Sequence, residues 1–278
     1  MLARHSSWMG PERLMADSAA RRFYDERVYG EYFSIQETQR VADRFPVIAD
    51  LLTQGHRDGW RRVLDVGPEN PSVPRFLSSR LGVPMTRYHC IDVSSKSVTL
   101  LTSAGFPALQ IDVSVETLPF PDGHFDLVLM TEVIEHLFDP DHALLEIHRV
   151  LAAGGVLVVT TPNLASWANR ILLLVGRQPM MTETSTALSF GWGTARQGRR
   201  PVGHLRLYVR RALVEMLVHY GFRVELLRGL PYGPNLPRDF PALHLLDRIF
   251  ASSPDLAGGL LVIASKLPQE AGTAITAP

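Results

Sequence analysis

Cysteine is almost absent from this chain: Cys90 is the only one among 278 residues, so no intramolecular disulfide can form. It sits in an apolar, strand-like stretch, which reads as a buried structural thiol. Charge of one sign is also missing. Twenty-eight basic side chains balance twenty-eight acidic ones, so no whole-protein field exists to gather nucleic acid. Long hydrophobic runs are lacking too. The longest purely aliphatic stretch, Ile171 to Val175, is far short of the ~20 residues that cross a bilayer. Met1 to Arg13 carries charges and Pro11 but no apolar h-region, so it does not read as a signal peptide. A cytoplasmic location is the default expectation. There is no Gly-x-Gly-x-x-Gly fingerprint, which sets aside a nicotinamide-dependent oxidoreductase, and no internal repeat.

What remains is ordinary globular material, 46% hydrophobic and 20% charged, long enough to bury a sizeable core. From Ser34 to Leu52 the apolar residues Ile35, Val41, Phe45, Ile48, Leu51 and Leu52 recur at roughly helical spacing. One or two helices are expected there, interrupted at Pro46. The middle of the chain then alternates. Short apolar strands are predicted at Val63 to Val66, Tyr88 to Asp92, Ala108 to Asp112, Phe125 to Met130 and Val156 to Thr160, with helices between most of them. Near-continuous apolar strands separated by helices indicate a parallel sheet covered on both faces. Two later strands, Phe222 to Leu227 and Leu260 to Ile263, follow a helix over Arg210 to Tyr220. The expected organisation is an N-terminal helical cover (1–55), one α/β domain (56–267) with a lid-like insertion at about 163–203, and a disordered tail (268–278).

Ligands of open parallel sheets bind beyond the carboxyl ends of the strands, where the strand order switches. Gly67 ends the first strand and permits a tight turn against a ligand. Asp92 ends the second, at a spacing suited to accepting both ribose hydroxyls of an adenosine, and Asp112 ends the third, where a carboxylate suits an adenine amino group. Taken singly, Asp92 reads equally well as a helix N-cap and Asp112 as a turn residue. Three acid-terminated strands in order are harder to set aside.

The series Val-Leu-Asp-Val-Gly (63–67), Ile-Asp-Val-Ser (91–94), Leu-Pro-Phe-Pro-Asp-Gly-His-Phe-Asp (118–126), Glu-Val-Ile-Glu-His-Leu (132–137) and Arg-Val-Leu-Ala-Ala-Gly-Gly (149–155) resembles the class I S-adenosylmethionine-dependent methyltransferases. It is most similar to the broad branch of ubiquinone-biosynthesis O-methyltransferases and bacterial sugar and natural-product enzymes. The resemblance implies a Rossmann-like, seven-stranded, mostly parallel sheet with helices on both faces and the last strand antiparallel. It also implies S-adenosyl-L-methionine as cofactor, with Asp65 and Gly67 near its methionine part, Asp92 at the ribose, Asp112 with Val113 at the adenine, and Val93 among the cofactor-binding residues. Thr131 and Glu132 would flank the transferred methyl. One departure stands out: the family's glycines two and four residues after the first are Glu69 and Pro71 here. Glu69 would then either repel the cofactor carboxylate or hold its amino group.

For the acceptor, the expectation is a small molecule methylated at a hydroxyl, with Glu132, His136 and His204 as catalytic groups. Small-RNA 3′-end methyltransferases resemble the segment Glu132 to His136. That resemblance implies a magnesium site on Glu132, Glu135, His136 and His204; the plainer reading is that Glu135 and His136 tie the loop together. An RNA-end 2′-O-methyltransferase and a binding-only protein stay as alternatives, and overall neutrality counts against the first. Trp167, Phe190, Trp192 and the run Ile171 to Val175 read either as a face packed on the domain or as a lid over an apolar acceptor. Arg196, Arg199, Arg200, Arg206, Arg210 and Arg211 read as a solvated face or as a clamp for phosphate.

Overall fold

A computed structural model describes residues 44–55, 59–188, 190–191, 202–233, 236 and 241–267. The sheet has seven strands: β1 (Val63–Val66), β2 (Tyr88–Asp92), β3 (Ala108–Gln110), β4 (Phe125–Thr131), β5 (Leu151–Pro162), β6 (Phe222–Leu230) and β7 (Gly259–Lys266). They lie in the order β3-β2-β1-β4-β5-β7-β6. The first five are parallel, and β7 runs antiparallel to both β5 and β6. The order reverses between β1 and β4, which makes their carboxyl ends the switch point.

The helices are α1 (Phe45–Gly55), α2 (Ser72–Leu81), α3 (Ser95–Ser103), α4 (Pro140–Val150), α5 (Trp167–Leu174), α6 (Arg210–His219) and α7 (Pro241–Ala251). Strand alternation divides the core in two. Leu64, Val66, Val128 and Met130 face one cluster with Leu144 and Ile147 of α4 and Leu213 and Leu217 of α6. Val63, Leu127 and Leu129 face the other, with Ile48 of α1, Leu77 of α2 and Leu101 of α3.

The caps match the sequence that writes them. Asp139 accepts a hydrogen bond from the His142 amide at 2.8 Å with Pro140 opening α4, and Gly82 closes α2 at φ +67°. Other expectations shift. Pro46 lies in the first turn of α1 and opens that helix instead of interrupting it, since no amide partner is needed there. β3 ends at Gln110, so Asp112 lies in the turn after it, and β5 starts at Leu151 and includes the Ala-Ala-Gly-Gly stretch. The expected insertion contains α5. Residues 1–43 of the expected helical cover, 192–201 of the expected lid and the tail 268–278 lie outside the described residues.

Asn163, 1% exposed, holds the end of β5. Its side-chain amide donates to the carbonyls of Pro254 (3.0 Å) and Ala257 (2.9 Å), and its Oδ1 accepts from the Ala165 amide at 2.9 Å. Its own amide donates to Gly258, and an isolated bridge pairs it with Tyr208. Asn163→Ala would leave the buried Ala257 carbonyl, and the half-buried Pro254 carbonyl and Ala165 amide, without their partner. It is expected to cost about 3 kcal/mol or more in chemical denaturation; a loss below about 1 kcal/mol would show that water replaces the amide.

Candidate active site

At the switch point Gly67 takes φ +66°, and a Cβ there would meet Val133 Cγ2 at 2.7 Å. The loop after it has a second left-handed residue where the resemblance expects a glycine. Glu69 adopts φ 61°, a left-handed conformation that costs a side-chain-bearing residue roughly 1–2 kcal/mol. Its amide donates to Asp92 Oδ2 at 3.2 Å, while the Ser94 amide donates to Asp92 Oδ1 at 2.9 Å. Asp92, 2% exposed, therefore ties the loop after β1 to the turn after β2. Proline does reduce the amide donors at the start of α2, as its chemistry requires. Pro71 precedes the helix, Pro74 lies in its first turn, and the Ser72 amide is taken by Asn70 Oδ1 at 2.9 Å.

Asp65 goes elsewhere. It shares the face of Val63, is 1% exposed, and accepts a hydrogen bond from the Tyr88 hydroxyl at 2.8 Å. Asp112 folds into a local turn: its amide donates to Glu116 Oε1 and its Oδ1 accepts from Ser114. Val113 is buried, with its carbonyl 3.1 Å from His142 Nδ1, and the Val93 carbonyl accepts from Gln110. Thr131 closes β4, in register with Thr160 of β5.

Beyond β4 the chain turns sharply. Glu132 takes φ 56°, forms an ion pair with Arg44 and accepts from Thr160 Oγ1 at 2.9 Å. A single 3-10 turn follows over Ile134–His136. The segment at 203–206 is stitched onto it: the Leu205 and Arg206 amides donate to the Glu135 carbonyl, and the Arg206 guanidinium donates to the Leu137 and Phe138 carbonyls. This brings His136 and His204 together, with ring centroids 4.8 Å apart. Candidate ligand atoms of Glu135, His136 and His204 all lie within 4.8 Å of one another. Glu132 is not gathered with them among the described residues; Arg44 and Thr160 hold its carboxylate.

The electrostatics of this cluster are unusual. Glu135 is fully buried, and although Thr161 donates to its Oε2 at 3.1 Å, its Oε1 has no hydrogen-bond partner. Burial and then the nearby Glu132 push its carboxyl well above the usual range. The Tyr208 hydroxyl is also buried without a partner, and is pushed up to about 12, chiefly by burial. His136 Nδ1 lies 3.1 Å from the Gly203 carbonyl and His204 Nδ1 2.8 Å from the Met181 carbonyl. A carbonyl can only accept, so both rings carry their proton on Nδ1 when neutral and keep the lone pair on Nε2.

Other motif residues make contacts within the fold. Arg149 donates to the Leu118 and Phe120 carbonyls, to Asp122 and to Glu146, and Glu146 accepts from the Leu118 amide. The Leu118 to Asp126 motif is thus anchored by α4. Arg206 caps carbonyls, Arg210 pairs with Asp255 and Arg211 with Glu215, which fits the solvated face and leaves no phosphate clamp in these three. Arg196, Arg199, Arg200 and Trp192 lie outside the described residues. Sequence reasoning missed Arg44, Thr160 and Tyr208; no spacing links them to the Glu132–His136 run.

Asp65 supplies a pH signature. Burial, partly opposed by the Tyr88 hydrogen bond and reinforced by Asp92, pushes its carboxyl from 3.8 up to about 7. A carboxyl that binds its proton more tightly when folded stabilises the protein fully below about pH 4, and that stabilisation fades as pH rises through 7. Stability should therefore fall by up to a few kcal/mol between about pH 4 and 7. Asp65→Asn should flatten that decline in denaturation midpoints measured across the range, and an unchanged slope would assign it to other groups.

Comparison with known proteins matches residues 64–159 to a methyltransferase domain. A ubiquinone/menaquinone biosynthesis C-methyltransferase of Laribacter hongkongensis is 29% identical over 136 residues, covering 43% of this chain and 55% of that protein. A Mycobacterium tuberculosis protein named "Probable S-adenosylmethionine-dependent methyltransferase" is 30% identical over 140 residues, covering 50% and 42%. The chain thus spans about half the length of these relatives. The crystal structure of a SAM-dependent methyltransferase from Methanosarcina mazei superposes with a TM-score of 0.53 at 18% identity, covering 79% of this chain and 98% of that one, a likeness of fold. Residues 64–159 thus match a methyltransferase domain, and the strand order is shared with the fold of S-adenosylmethionine-dependent methyltransferases.

Proposed function

We propose that the chain moves the methyl group of S-adenosylmethionine to a hydroxyl of a small-molecule acceptor, with His136 taking the hydroxyl proton. The observation that carries this reading is the His136–His204 pair beside the buried Glu135, at the end of β4 and next to the switch point. Bound S-adenosylmethionine supplies an electrophilic methyl on a sulfonium, whose carbon–sulfur bond breaks with the electron pair left on sulfur. Methyl transfer is an in-line displacement, so alignment does much of the work. Asp92 supports it by fixing the loops after β1 and β2 around the ribose position, and Thr131 and Glu132 border the methyl. The acceptor proton goes to the Nε2 lone pair of His136, whose orientation is set through Nδ1 by the Gly203 carbonyl.

A second reading has its own observation, the unpartnered buried oxygen of Glu135. Two imidazoles whose Nδ1 atoms face backbone carbonyls, together with one carboxylate, fit a divalent cation, and Nδ1–carbonyl contacts are the usual outer support of histidine ligands. Glu135, His136 and His204 would hold it, where it would lower the pKa of the acceptor hydroxyl. This nitrogen-rich set suits zinc better than magnesium.

Calorimetry should show S-adenosylmethionine binding that Asp92→Ala weakens by roughly 1.5–3 kcal/mol. An unchanged Kd in a folded variant would remove Asp92 from the site. His136→Ala should lower turnover about a hundredfold while leaving cofactor affinity nearly intact. Full activity after chelation supports the proton acceptor; loss restored by an added divalent ion supports the cation. Analysis of the labelled product separates methylation at oxygen from methylation at carbon, the type named in the Laribacter relative.

A further inference from the structure

The Nδ1 atoms of both site histidines face backbone carbonyls, Gly203 for His136 and Met181 for His204. One short stretch, residues 180–183, stands behind both carbonyls. It is anchored at Met180 by Asn169 of α5, which is 1% exposed. Asn169 Oδ1 accepts from the Met180 amide at 2.5 Å, and its Nδ2 donates to the Met180 carbonyl at 3.4 Å. The same Nδ2 donates to the Asn163 and Leu164 carbonyls just beyond β5, so the stretch is referenced to the sheet. Met181 then takes φ 67°, a left-handed conformation unfavourable for a residue with a side chain. In it the Met181 carbonyl lies 2.8 Å from His204 Nδ1.

His136 is reached by a second route. Glu183 Oε1 accepts from the Val202 amide at 2.6 Å, and both of its oxygens accept from the Gly203 amide, at 3.2 and 3.0 Å. A carboxylate that grips two successive amides makes charge-assisted hydrogen bonds, roughly twice as strong as neutral ones. What it grips has little stiffness of its own. Gly203 takes φ 93°, a region that glycine enters without steric cost and leaves as readily. The direction of the Gly203 carbonyl therefore depends on what holds the backbone to either side. Downstream, the Glu135 carbonyl accepts from the Leu205 and Arg206 amides. Upstream, the hold is Glu183.

We infer that Glu183 is a positioning residue for His136, acting through the Val202 and Gly203 amides on the carbonyl that faces Nδ1, while Asn169 and Met181 support His204 separately. Its effect on turnover rests on the role proposed above for His136; its effect on the ring is read without turnover. The test is the long-range proton–nitrogen NMR spectrum of the full chain with a chelator present, at about pH 8.5, about two units above the ordinary histidine pKa. Both rings should carry their proton on Nδ1 in the wild type. Glu183→Ala should turn His136, and not His204, towards the Nε2–H form that unrestrained imidazole favours in water. It should also lower turnover about tenfold with S-adenosylmethionine affinity unchanged. Glu183→Gln keeps one oxygen able to accept from both amides, as Oε1 does here, and should restore tautomer and turnover together. A proton on Nε2 of His136 in the wild type would overturn the inference without any variant. So would unchanged tautomers in Glu183→Ala, a change in both rings at once, which would mark a general loosening of the segment, or a failure of Glu183→Gln to restore His136. A His136 tautomer that changes as expected while turnover holds would leave Glu183 in its role and remove His136 as the proton acceptor.

Discussion

The half of the molecule that carries the histidines depends on one buried amide. Asn163 is where β5 ends, and from that point its side chain reaches the turn before α5 and the loop leading to β7, while its backbone meets Tyr208. Each is a connection between elements distant in sequence. A side chain that donates twice and accepts once inside a dry junction does in one residue what several surface contacts could not. The segment carrying His204 runs into this junction at Tyr208. Its two ends are fixed, by Glu183 at the Val202 and Gly203 amides and by Tyr208, so the ring of His204 arrives beside His136 with little freedom.

The motif residues divide into those that hold and those that stand ready. Arg149 spends its donors on the 118–123 turn, which accounts for the joint presence of the Leu118 to Asp126 and Arg149 to Gly155 segments: one is the clamp for the other. Asp92 holds at the switch point itself, since each of its oxygens accepts from a loop that borders it. The Glu135 carboxyl holds only in part. One oxygen is satisfied and one is not, and a buried oxygen in that state is costly unless something it binds offsets the loss.

The fold was legible in the sequence because a parallel sheet covered on both faces needs apolar strands, and those strands are near-continuous here. Seven of them were readable, and their boundaries erred where pattern carries little information: Asp112 continues the polarity of a strand end, and Ala-Ala-Gly-Gly has no period. The positions of Asp92, His136 and His204 in the fold were legible because each follows or ends an element recognisable by pattern. Asp65 was not, because its position in the motif says nothing of Tyr88, whose hydroxyl meets it across the adjacent strand. Glu69 is the instructive case. Its identity departs from the glycine that the resemblance leads one to expect, yet its backbone takes the left-handed conformation that glycine favours, in the turn between β1 and α2 where its amide donates to Asp92. The aliphatic run of α5 failed for the opposite reason. Hydrophobicity implies burial only when an inner face exists to receive it, and there is room for Leu172 alone.

The placement of β7 has a consequence for how the chain assembles. It is the last strand in sequence, yet it lies between β5 and β6, paired with both. During synthesis from the amino end, β6 emerges before the strand that will join it to the sheet. Until β7 arrives, β5 presents an open edge of unpaired backbone groups, the kind of template on which nascent chains mispair. The five parallel strands can gather while the chain is still on the ribosome, but β6 must wait. Completion of the sheet is therefore a late event that the order of elements imposes on the protein, whatever the speed of its other steps.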